Sequence, residues 1–144
     1  MKKYISLFII AGSVHALFSL YWGLGGEAGL ITVGSWVFTL SAQFGVWINI
    51  ALLLIGVFKF LATIVPLTLT NHFDKKIYMI SLIGSIFLMI YGGLNMIIGI
   101  LKMCEVIENH NYFTTFGQAF VWDPLFLLWG IGLFGYVMKV KQNR

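Results

Sequence analysis

His15, Lys59 and Asp123 are the residues of this sequence best placed to do chemistry, because each ionisable group stands inside or at the edge of a strongly apolar stretch. Ionisable groups at such depth are costly, usually face a bundle interior, and count as functional candidates. His15 can bind a ligand or transfer a proton, or it can simply hydrogen-bond a neighbouring helix. One lone histidine specifies neither haem nor metal. Lys59 is a candidate by its depth, or it snorkels along its own stem to the inner headgroups. Asp123 belongs to "VWDPLFLLWG", residues 121–130. Asp at the N-cap followed by Pro at the first helical position is what an ordinary helix start looks like, and a carboxylate there also complements the helix dipole.

Other polar residues widen the candidate site. Trp22, Glu27, Trp122 and Asp123 lie where the first and last apolar segments meet the same membrane face, and can form an aromatic and acidic rim. Trp129 follows two turns below Trp122 on the same helix face. With His15 beneath, these residues frame a pocket opening outward or sideways to lipid. Asn49 and Asn95, with Tyr91 one turn below Asn95, either line a polar pocket or act as interhelical glue. Gly12 with Ala16 and Ser81 with Ser85 are small-residue pairs that let helices approach closely. The loop "CEVIENHNY", residues 104–112, gathers Cys104, Glu105, Glu108 and His110, but its spacing fits no strong zinc pattern and reads as a solvated loop. No glycine-rich phosphate loop, GxSxG or HExxH is present. No metal or cofactor is expected.

The elements that position these residues follow from composition. Of 144 residues 60% are hydrophobic and only 10% charged, and the mean hydropathy is +0.94. A soluble domain carries roughly a quarter charged residues, so the chain is read as an integral membrane protein. The single cysteine, Cys104, excludes an intrachain disulfide. The net charge of +4 is no sign of nucleic-acid binding, because the basic residues sit at the ends of apolar segments. "MKKYISLFIIAGSVHA" has the layout of a signal peptide with a passable cleavage site after Ala16, but we read it as the first transmembrane helix.

The fold class expected is all-α: one transmembrane domain built as a four-helix bundle. Its spans cover about 4–22, 44–66, 77–101 and 122–140, with an interfacial segment at 29–42. Seven of the nine basic residues, Lys2, Lys3, Lys75, Lys76, Lys139, Lys141 and Arg144, fall on one side. The positive-inside rule makes that side, and both termini, cytoplasmic. An internal repeat supports two hairpins of the same orientation. "KKYISLFIIAGS" (2–13) matches "KKIYMISLIGS" (75–85), and "QFGVWINIALLLIGVF" (43–58) matches "QAFVWDPLFLLWGIGLF" (118–134). Parallel repeats of this kind pack about a pseudo-two-fold axis along the membrane normal.

"HALFSLYWGLGG" at 15–26 together with "WDPLFLLWG" at 122–130 resembles a family of small bacterial four-span membrane proteins, domain of unknown function family 3995. The resemblance rests on His15, Trp22, Gly25, Gly26, Trp122, Asp123, Pro124, Trp129 and Gly130. It implies a multi-pass protein of the bacterial cytoplasmic membrane and carries no activity. Three functional readings stay open. In the first, the bundle binds a lipid-like or other apolar small molecule, and His15 faces a cavity. In the second it is a membrane enzyme, in which His15 with Glu27 or Asp123 moves protons on a lipid-like substrate. In the third it is an accessory or immunity-type protein acting through helix contacts with a protein partner or a second copy.

Overall fold

A backbone that crosses lipid must satisfy its own hydrogen bonds, and this chain does so entirely as helices. The computed structural model describes residues 1–143. Six α-helices follow one another: α1 (Lys2–Gly23), α2 (Trp36–Phe44), α3 (Val46–Ile64), α4 (Lys75–Met103), α5 (Tyr112–Phe120) and α6 (Trp122–Gln142). Short 3-10 segments cover Leu30–Thr32 and Val65–Thr70. Four stretches are long and apolar enough to cross a membrane: Lys2–Gly23, Val46–Thr70, Lys75–Met103 and Tyr112–Gln142. The 22 residues of α1 span roughly 33 Å at 1.5 Å each, close to the hydrocarbon thickness.

Two span ends differ in detail from expectation. Pro66 does not end the second span. It sits at the start of a 3-10 segment that carries the chain on to Thr70, because proline removes an α-helical donor yet tolerates the first turn of a tighter helix. The last span has its helix start at Trp122 as expected, but it is led in by a further helix and lacks the expected cap. The amphipathic α5 runs almost directly into α6, with a break at Val121 (φ −121°, ψ −74°). Trp122 is therefore already helical, and Asp123 is a first-turn residue rather than the N-cap. The separate segment expected at 29–42 contains the Leu30–Thr32 turn and most of α2, which runs on to Phe44, and α3 starts only at Val46. Gly45 divides α2 from α3 at φ +55° and ψ −126°, a conformation that favours glycine.

The spans pack in the order α3, α1, α6, α4. α1 lies between α3 and α6, and α6 lies between α1 and α4. α5 closes one end by packing on α4, α6 and the Leu30–Thr32 turn. A core of Phe8, Tyr78, Trp129, Leu133, Tyr136 and Val137 fills the end that holds both termini. A second cluster, Trp22, Leu30, Val37 and Trp122, fills the other end. The outward faces of α3 and α4 carry Leu54, Phe58, Ile80, Ile83 and Phe87 in the open. In water such a surface would drive association; in a bilayer it is the lipid-facing side of the bundle.

Candidate functional site

Because α1 and α6 fill the middle of the row, α3 and α4 have no common packing seam. Between them lies a cleft of about 540 Å³. Phe58, Lys59, Ala62 and Pro66 form one wall, Ile80, Ser81, Gly84 and Phe87 the other, and Phe126, Trp129 and Leu133 of α6 the floor. Gly84 helps keep it open: a Cβ built there would meet nothing within 4 Å. One end is anchored by Tyr136. Its hydroxyl donates to the Pro66 carbonyl at 3.0 Å and is 2.8 Å from the Thr70 hydroxyl, tying the 3-10 segment to α6.

Among the described residues, Lys59 is the one charged side chain lining the cleft. It does not snorkel to the headgroups. Its Nζ donates to Ser19 Oγ of α1 at 3.0 Å and stands 5.3 Å from the ring centre of Phe126. Ser19 is 2% exposed. The lysine is held in the bundle by a hydroxyl and an aromatic face, with no carboxylate beside it. Among the described residues the one ion pair is His110 with Glu108, at 3.8 Å on the exposed loop.

His15 does not face this cleft. It is 3% exposed, its Nε2 lies 2.9 Å from the Trp122 carbonyl oxygen, and its ring stacks on Phe126 at 3.8 Å. This is a packed seam between α1 and α6. The acceptor is a carbonyl, so Nε2 carries the proton and donates. The expected proton-transfer pair is not assembled either: His15 has no hydrogen bond to Asp123 or Glu27, and Glu27 is exposed. Asp123 is 5% exposed at the start of α6, and its carboxylate has no hydrogen-bond partner among the described residues.

The two rim tryptophans do meet. Trp22 and Trp122 lie edge to face at 5.1 Å. Trp22 Nε1 donates to the Ala28 carbonyl, and Trp122 Nε1 to Thr32 Oγ1, each at 2.9 Å. They brace the loop after α1 against α6 and lie outside the cleft. Asn95 is half-buried on α4, also outside it. Trp129 is the candidate that belongs to both regions: it lines the cleft, is 2% exposed, and its Nε1 has no hydrogen-bond partner. Phe126, Ser19 and Gly84 are not among the residues singled out from the sequence; Ser81, expected in a close helix approach, lines the cleft instead. Only Phe126 carried a signal, since it stands four residues after Trp122 and three before Trp129, on the same helix face. No group of three His, Cys, Asp or Glu able to hold a metal exists among the described residues.

A row of four lipid-compatible helices with a side-opening cleft defines a four-span membrane protein with a lateral pocket. The chain belongs to the family described as Protein of unknown function (DUF3995), which matches residues 12–133 and so takes in every cleft residue. No curated protein and no solved structure matches the chain.

Proposed function

We propose that this protein binds a lipid-like molecule in the α3–α4 cleft, admitting it sideways from the bilayer. The carrying observation is the cleft itself. Its volume of about 540 Å³ falls within the roughly 300–1,000 Å³ typical of small-molecule sites. Its mouth is flanked by Phe58, Ile80 and Phe87, all on the lipid-facing side. A ligand arriving from lipid gains little from the hydrophobic effect, because acyl chains are as apolar as the walls. Selectivity must then come from shape and from the few polar groups inside.

The same reading places the protein in a bacterial cytoplasmic membrane with both termini in the cytoplasm. The lysine pairs at 2–3 and 75–76, with Lys139 and Lys141, support that side. We also take the internal repeat as real. Its two halves correspond to the α1–α3 and α4–α6 hairpins, each packed along its length.

Native mass spectrometry of the protein released from lipid nanodiscs tests the binding reading. Gly84→Leu fills the cleft without meeting a neighbour at Cβ. A defined mass bound to wild type and lost from Gly84→Leu supports the proposal. A bare chain in both overturns it.

A further inference from the structure

We infer that the cleft selects an anionic single-chain amphiphile, a long-chain carboxylate, with Lys59 as the group that recognises its head. The inference rests on the cleft being a binding site and adds the chemistry of its occupant.

The walls hold very few polar groups, and these favour donation. Among the described residues, Lys59 and Ser81 are the only polar side chains lining the cleft apart from the indole of Trp129. Lys59 Nζ uses one donor on Ser19 Oγ and has two left. The Ser19 hydroxyl proton has no acceptor among the described residues. Ser81 has no hydrogen-bond partner among them, and the Trp129 Nε1–H is buried without one. Lys59 and the Trp129 indole can only donate, and no carboxylate lines the cleft to accept from them.

An ammonium this far inside a bundle is expensive unless an anion or several dipoles compensate it. Here it has one hydroxyl and the Phe126 ring, which lies 5.3 Å away. A carboxylate entering beside Nζ would supply the missing charge and accept charge-assisted hydrogen bonds. From Lys59 the cleft continues along α3 through Ala62 and Val65 to Pro66, seven residues or roughly 10 Å, with walls apolar but for Ser81 and the Trp129 indole. That length takes the first part of a long alkyl chain, and the rest leaves through the side opening past Phe58, Ile80 and Phe87 into lipid. A zwitterionic headgroup would also need an anionic partner for its own cation, and among the described residues no carboxylate lines the cleft.

The test uses the full chain in phosphatidylcholine nanodiscs, titrated separately with palmitate and with hexadecanol, which share chain length but not charge. Wild type is expected to bind palmitate at least tenfold more tightly than hexadecanol. Lys59→Met is expected to lose that preference while still taking up hexadecanol, and Lys59→Arg to keep it. Equal binding of the two probes by wild type overturns the anion inference and leaves the cleft as an apolar site. Failure of both probes to bind wild type overturns the cleft reading as well. The wild-type comparison stands even if Lys59→Met does not fold.

Discussion

Phe126 is the side chain through which the polar residues of this bundle are related. One face of its ring stacks on His15 at 3.8 Å, and the Lys59 ammonium stands 5.3 Å from its centre. The ring therefore separates a packed histidine from a cleft-lining lysine. His15→Phe should keep the stack and lose the hydrogen bond to the Trp122 carbonyl. Interhelical hydrogen bonds in membranes are worth about 0.6 kcal/mol on average and up to about 1.7. Thermal unfolding in detergent should show a loss of that size, with binding in the cleft unchanged. Tyr136→Phe should cost somewhat more, about 1–3 kcal/mol, because the Pro66 carbonyl and Thr70 hydroxyl both lose a buried partner. That His15 and Lys59 stand inside long apolar helices was legible in the sequence, since each interrupts an apolar run. The direction each faces was not. The apolar stretches leave helix faces indistinct, so only the packed neighbours decide which side is inside.

At the scale of elements, α6 presents glycine on two sides. A Cβ at Gly130 would lie 2.7 Å from Met89 N of α4, and one at Gly132 would lie 2.6 Å from Phe8 N of α1. These close approaches let α6 occupy the centre of the row. Gly130→Ala must push α4 away and should destabilise by about 1–3 kcal/mol. Gly84→Ala, with nothing within 4 Å, should be neutral or gain up to about 1 kcal/mol from helix propensity. Parallel denaturation curves of the two variants check the contrast.

The start of α4 adds a pH prediction outside the membrane. Asp74 caps the helix, accepting from Lys76 N at 2.7 Å and Ile77 N at 3.0 Å. The Ile77 and then the Lys76 backbone bonds hold its carboxyl below the ordinary value. Its stabilisation is thus present above the unfolded pKa near 3.9 and fades as pH falls through the lower folded value. Protection of the Lys76 and Ile77 amides, taken relative to their intrinsic exchange rate, should fall in that acid range, and Asp74→Asn should remove the dependence. The four apolar spans and the separate 29–42 segment follow from composition and glycine placement. α6 enters at Trp122, where the last span was expected to begin; only the cap differs, because Asp123-Pro124 carries a local helix-start signal while the chain is already helical at Trp122.

For the whole molecule, the row α3–α1–α6–α4 gives the cleft its place. Under the proposed duplication α1 corresponds to α4 and α3 to α6, so the packed α1–α6 seam has α3–α4 as its counterpart. That counterpart is the seam that is open. The aligned glycines differ accordingly: a Cβ at Gly12 would collide with Thr63 and come within 2.9 Å of Trp129, whereas one at Gly84 meets nothing. No periodicity announces such an opening, because lipid-facing and cleft-facing walls are built from the same apolar residues. Localising a bound chain therefore tests the central claim most directly. A diazirine-bearing palmitate should be photo-crosslinked to the wild-type protein in nanodiscs and the labelled peptides mapped. The account predicts label concentrated at Phe58, Ile80, Gly84 and Phe87 and suppressed by Gly84→Leu. Label spread evenly over outward residues such as Ile10, Leu17, Leu54 and Leu94, unaffected by that substitution, would contradict it.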